Sequence, residues 1–218
     1  MVKGIVMAAG QSLYDEDVIE KIKLYCLTEV EDIIILSTDR TLKYVLESGL
    51  IPDYTCVNEN IIRPSNVKWL PNHDFLPDFF YHGIVKSHAS KITLYHNSLL
   101  IPERVKILED MGFKTVQFNR VGCGTNKGTL VNTCGNCGMA LVQIARHILK
   151  IEKIGIIGLD LDNTTSYKHV DALNELLLTQ HKIVDDFLTM GQSVYNLTRM
   201  GNVHGKGIVE TNIDDFLK

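Results

Sequence analysis

GIVMAAGQSLYDE (residues 4–16) passes from an apolar run through a turn of small residues into an acidic cluster. The apolar part lacks polar alternation, the pattern of a strand buried on both faces of a parallel sheet. The acidic residues suit the first turn of a helix, where the macrodipole is positive, and residues 15–27 are read as that helix. Gly10 and Ser12 sit at the handover, where backbone N–H groups can approach a phosphate. The turn matches neither G-x-G-x-x-G nor the P-loop pattern. It marks a place, not yet a ligand.

The same alternation recurs along the chain. DIIILST (32–38), YTCVN (54–58), KITLYH (91–96), KTVQFN (114–119) and KIGIIGLD (153–160) are further short apolar runs. Helix-length segments lie between them. Residues 39–48 begin at the capping residue Asp39 and stop at Gly49, and residues 102–111 open with Pro102 and close before Gly112. This alternation predicts an α/β fold, a doubly wound, mostly parallel sheet with helices on both faces. Beyond residue 165 the pattern turns helical (169–191), followed by a short strand SVYNLT (193–198) and the tail 207–218. No repeat or linker interrupts it, so residues 1–218 read as one domain. Four of the five prolines fall within residues 52–77, which marks the least regular part of the sheet.

Whole-chain properties narrow the classes. The 218 residues are 45% hydrophobic and 22% charged, with a net charge of −4. Such a chain buries roughly 70% of its unfolded surface and needs no disulfide or metal staple. No basic excess draws it to nucleic acid or to an anionic membrane. The opening run is too short for a signal peptide, and no stretch approaches the ~20 apolar residues that span a bilayer. Five cysteines without an export signal imply free thiols in a reducing compartment, so the expected location is cytoplasmic.

In a doubly wound sheet, ligands bind outside the carboxyl ends of the strands, near the point where strand order reverses. The predicted strands end in Gly10 and Ser12, Thr38 and Asp39, Asn58 and Glu59, Asn97, Asn119, and Asp160 and Asp162. Polar strand ends also arise from loop chemistry alone, so it is their convergence that nominates them. CGNCG (134–138) adds a second small-residue turn, before a predicted helix 137–149. Its C-x-x-C lacks the second pair of a structural zinc site, and His147 would lie about 15 Å along the helix from Cys137. A redox C-x-x-C usually follows the first strand of a thioredoxin-like unit, an order not seen here. No metal site is expected. The favoured reading is a tight ligand turn in which Gly135, Asn136 and Cys137 offer amides to an anion.

Taken in order, these motifs resemble the Rossmann-like domain shared by bacterial motility accessory factors, linked to flagellin glycosylation, and archaeal 6-hydroxymethylpterin pyrophosphokinase-like proteins. The family's G-x-G-P-S-L turn is matched by Ala8-Ala9-Gly10-Gln11-Ser12-Leu13. Its L-x-x-G-I-x-P-D segment is matched by LESGLIPDYTCVN (46–58), and its glycine/serine turn and helix by CGNCGMALVQIA (134–145). A strand ending G-x-D-L follows as Gly158-Leu159-Asp160-Leu161, then a K-T-H-A-like segment as Tyr167-Lys168-His169-Val170. A late VYNLT (194–198) adds Asn196 to the binding candidates. Several of these turns are also similar to those of bacterial lipooligosaccharide sialyltransferases.

The resemblance implies a nucleotide or nucleotide-sugar site on the first turn, the helix-137 turn and the Asp160 loop. The leading expectation is a glycosyltransferase-like enzyme using a nucleotide-activated sugar, with a nonulosonic-acid donor as one option. Gly10, Ser12 and the amides of Asn136 and Cys137 then hold phosphate, while Asn58 and Asn119 contact the nucleotide. His169 is the candidate general base for an acceptor hydroxyl, with Asp160 orienting it or sharing that catalytic work. The plain alternatives are a helix-start histidine and a loop cap. A second expectation is diphosphotransfer from ATP, with Mg2+ at Glu59, Asp160 and Asp162. That branch carries an acidic T-D-L-D-G pattern after the third strand, where this chain has Val57-Asn58-Glu59-Asn60. A third expectation is a non-catalytic nucleotide- or metabolite-binding module. A partner subunit or a second copy of the chain is then a source of the acceptor site.

Overall fold

The computed structural model describes residues 2–14, 16–28, 33–58, 78–120, 129–131, 133, 137–160, 194–198 and 208–218. Glu59, Gly135, Asn136, Asp162 and His169 lie outside the described residues, as do Cys123, Cys134 and the predicted helix 169–191.

The described strands are β1 (Lys3–Met7), β2 (Ile33–Thr38), β3 (Tyr54–Val57), β4 (Thr93–Asn97), β5 (Lys114–Arg120), β6 (Leu130–Val131), β7 (Lys153–Ile157), β8 (Val194–Asn196) and β9 (Ile208–Glu210). They form one sheet in the order β6-β5-β4-β3-β2-β1-β7-β8-β9. Every pairing is parallel. The fold is α/β, as the alternating pattern predicts. From β1 the chain steps outward through β2 to β6 and then returns to β7 on the other flank of β1. Strand order therefore reverses between β1 and β7, and a doubly wound sheet opens its ligand crevice at such a point.

Helices α1 (Glu16–Thr28), α2 (Asp39–Glu47), α3 (Gly83–His88), α4 (Pro102–Asp110), α5 (Cys137–Gln143) and α6 (Ile213–Leu217) cover both faces. Alternate residues of β1 serve the two sides. Val6 and Ala8 pack with Met139, Leu141 and Val142 of α5. Ile5 and Met7 pack with Ile19 and Ile22 of α1, Val45 of α2 and Phe216 of α6. A third cluster joins Leu42 and Leu46 of α2 to Val85 of α3, Leu108 of α4 and the strand residues Val57 and Leu94. Each such fully buried side chain contributes about 1.5–3 kcal/mol.

Three details depart from the sequence reading. Strands β6 and β9 have no counterpart in it, because runs of two or three residues show no periodicity to read. Helix α5 does not continue regularly to residue 149. It passes into a π turn at Ile144–Ile148, where Leu149 N bonds Ile144 O at 3.0 Å. The short α3 stands just beyond the proline-rich stretch, where the pattern predicts no helix.

At the amino edge of the sheet, two register neighbours, Lys3 and Lys153, would repel each other. They are held by α6 instead. Lys3 Nζ donates to Leu217 O and Lys153 Nζ to Phe216 O, each at 2.7 Å. Lys153 Nζ also lies 4.6 Å from the centre of the Phe216 ring. Burial, with Lys3 beside it, pushes the Lys153 ammonium below its usual value. Lys3→Met leaves the Leu217 carbonyl without this donor. It should cost about 1–3 kcal/mol, read as a lower urea midpoint at unchanged slope.

Candidate functional site

The turn after β1 is sewn to the end of β7. Ala8 N donates to Ile157 O at 2.8 Å and Gly10 N to Gly158 O at 2.6 Å. Ser12 N donates to Asp160 Oδ2 at 2.9 Å, and the Ser12 hydroxyl donates to Asp160 Oδ1. Gly158 N donates back to Ser12 Oγ at 2.9 Å. Ser12 is only 1% exposed and Asp160 4%.

This geometry changes the parts assigned to Gly10 and Ser12. Their N–H groups, expected to face phosphate, are occupied by Gly158 O and Asp160. A Cβ on Gly10 would stand 2.5 Å from Gly158 O and against the Asp160 carboxylate. The close approach that requires glycine here is therefore between two loops of the protein. Asp160, expected to orient a base, orients Ser12. Pairs so far apart in sequence leave no local signal.

The second gathering lies on the neighbouring strand ends. The Thr38 hydroxyl is 3.1 Å from that of Thr41, which reaches Met7 O at 3.2 Å. Asp39 is buried at the start of α2, where one carboxylate oxygen accepts Arg40 N at 2.9 Å. Beyond it, Cys137 ties the mouth of α5 to the end of β3. Its sulfur accepts from Asn58 N at 3.2 Å, and its thiol donates to Cys56 O at 3.3 Å. The Cys56 thiol, burial and the Asp39 charge push the Cys137 pKa well above the ordinary thiol value. The sequence pattern values Cys137 for its small size and its amide. The structure adds a use for its protonated sulfur.

Asn58 is the most informative member. Its Oδ1 accepts from Asn97 Nδ2 at 3.1 Å, and Asn97 Oδ1 accepts from Leu99 N at 3.0 Å. Asn58 is 8% exposed, and its Nδ2 is buried with no hydrogen-bond partner among the described residues. A buried donor left unpaired costs about 1–3 kcal/mol.

Asn196 lies apart from this group, whereas Asn119 is one residue beyond Phe118, the register partner of Asn97. Asn119 stands on β5, its N–H bonded to Thr129 O at 2.8 Å. Asn196 stands on β8, its side-chain oxygen 3.3 Å from Thr198 N. Six strand spacings separate β5 from β8 in the sheet order, roughly 29 Å. One nucleotide does not touch both.

His96, among the polar strand ends but outside the candidate set, is buried at 5% exposure beside Asn97. Its Nδ1 lies 3.1 Å from Asn97 O and donates to it. Burial pushes its pKa down, against smaller upward effects from that carbonyl and from Glu109. A histidine with a folded pKa below its unfolded value gives stability that is complete above the unfolded pKa, about 6.5. That stability is lost as pH falls through the folded value. Urea midpoints taken from pH 7.5 to 5 should fall more steeply for the wild type than for His96→Gln. Parallel curves would refute this.

Among the described residues, no three His, Cys, Asp or Glu side chains stand close enough to share a metal ion, and no helix is long and apolar enough to cross a membrane. No protein-family model and no curated protein matches the chain. A solved structure of a MAf glycosyltransferase from Magnetospirillum magneticum AMB-1 is similar in fold, with a TM-score of 0.62 at 14% identity. The match covers 98% of this chain and 34% of the other, so this chain spans about a third of that protein's length.

Proposed function

We propose that the chain is a nucleotide-binding, glycosyltransferase-like transferase whose donor nucleotide lies across the carboxyl ends of β2, β3 and β4. The observation that carries this reading is the buried, unpaired Asn58 amide, held at the carboxyl end of β3, two strands from the β1–β7 reversal. Asp39 suits ribose hydroxyls, as an acidic residue beyond the second strand does in dinucleotide-binding sheets. Gly135 and Asn136 are the phosphate contacts, on the sequence pattern. The similar fold of a protein described as a glycosyltransferase supports the reaction class.

The diphosphotransfer alternative asks Asp160 to hold magnesium, yet both of its oxygens are bonded to Ser12. Its other two ligands, Glu59 and Asp162, are outside the described residues. Asp160 is also 4% exposed, so burial and its bonds to Ser12 together favour a structural part for it over a magnesium ligand.

A thermal-shift panel of CMP, CTP, UDP, GDP and ATP, each with and without magnesium, tests the reading. A ligand at a hundred times its Kd stabilises the native state by about 2.7 kcal/mol. At least one nucleotide should raise the wild-type Tm without magnesium, and Asn58→Ala should remove that shift. A flat response across the panel overturns the proposal.

A further inference from the structure

We infer that Asn97 is a positioning residue that fixes the polarity of the site, locking the Asn58 amide so that the ligand meets a donor and must supply an acceptor. The inference rests on the nucleotide reading above and specifies what that nucleotide offers at this point.

Obligatory donors set the orientation of both amides. The N–H of Leu99 can only donate, so the atom of Asn97 facing it at 3.0 Å is Oδ1. The other end of that amide, Nδ2, then faces Asn58 at 3.1 Å and can only donate in turn. Asn58 must answer with Oδ1. Its Nδ2 is thereby left as the buried, unpaired donor. Turning the Asn58 amide over would set two NH2 groups against each other, so the network holds the unpaired donor in place. The backbone of Asn58 is pinned as well, because its N–H donates to Cys137 Sγ at 3.2 Å.

The complementary group carries a lone pair and no proton. A carbonyl oxygen or an unprotonated ring nitrogen of a base fits, and so does a phosphoryl oxygen. A hydroxyl fits only through its oxygen. A protonated ring nitrogen or an exocyclic amine does not.

Asn97→Asp isolates this role. A carboxylate still accepts the Leu99 N–H, so the turn is kept. It cannot donate to Asn58, whose amide then reverses, gives Nδ2 to the new carboxylate and presents Oδ1 to the ligand. The experiment titrates CMP, UMP, GMP and AMP into the full chain by calorimetry and follows the Asn58 side-chain NH2 signals by 15N NMR. For the tightest nucleotide, Asn97→Asp should lose at least tenfold in affinity. The loss should persist in high salt, where the mere addition of a distant charge would be screened. Asn97→Ala, which frees the amide without adding charge, should lose less. In the wild type, saturation should shift the Asn58 NH2 signals, and in free Asn97→Asp they should already be displaced.

An affinity within twofold of wild type in Asn97→Asp overturns the inference and leaves the nucleotide reading standing. If Asn97→Asp does not fold, wild-type Asn58 signals that stay fixed at saturation overturn it equally. Absence of wild-type binding to any of the four nucleotides removes both.

Discussion

Gly158→Ala is expected to lower the urea midpoint far below that of the wild type. Gly158 has φ +69°, a left-handed conformation that an L side chain adopts at a cost of about 1–2 kcal/mol. The steric cost is larger. A Cβ there would overlap Ala8 O, lie 2.8 Å from Ala8 C and touch Leu13 Cβ at 3.0 Å. None of these is the yielding end of a flexible side chain. Relief requires the β1 and β7 loops to part. That breaks the Gly10–Gly158 and Ser12–Asp160 bonds and strands buried polar groups at about 1–3 kcal/mol each. The total exceeds roughly 4 kcal/mol, a large share of the 5–15 kcal/mol that holds a domain together. Urea unfolding followed by circular dichroism measures it. Gly83→Ala serves as the control, since a Cβ at Gly83 meets nothing within 4 Å. A Gly158→Ala midpoint equal to that of Gly83→Ala would show that the junction yields.

This junction also shows where the sequence is legible and where it is silent. Apolar runs without alternation are visible one residue at a time, so β1, β2, β3, β4, β5 and β7 are found near their predicted places. Helices α2 and α4 begin at Asp39 and Pro102, an acid in the first turn and a proline at the first helical position, although the capping residues are Thr38 and Ile101 and neither makes a side-chain capping bond. A pairing such as Ser12 with Asp160 spans most of the chain, and nothing near either residue announces it. The same holds for the Cys137 thiol, whose partners are supplied by β3. Asn58 and Asn97 are both legible as polar strand ends. Their mutual bond is not, because it depends on β3 and β4 being neighbours in register. Strand ends can be enumerated from sequence, but topology decides which ends meet. Asn196, equal to the others as a residue type, is set apart only by strand order.

Asp160 and His169 separate architecture from chemistry, and the second large effect is expected at His169. His169→Ala should lower donor turnover by about 10²–10⁴-fold while nucleotide affinity and Tm stay near wild type, the pattern of a lost general base. The assignment rests on sequence order, with His169 nine residues beyond Asp160 in the K-T-H-A-like segment. Asp160→Asn should behave differently. It replaces a carboxylate that accepts from both Ser12 N and the Ser12 hydroxyl, so stability should fall by about 1.5–3 kcal/mol with any loss of turnover. The measurement is hydrolysis of nucleotide-sugars, followed by chromatography beside urea melts of both variants. Metal-independent hydrolysis that needs His169 supports the sugar transferase. Release of AMP from ATP only with magnesium and a pterin acceptor would falsify it in favour of diphosphotransfer. Nucleotide binding with no turnover of any donor assigns the chain to the binding modules, with His169→Ala silent. A kinetic defect without a stability defect is the result that makes His169 a catalytic residue, because a histidine that only starts a helix would alter the melt and leave the rate alone.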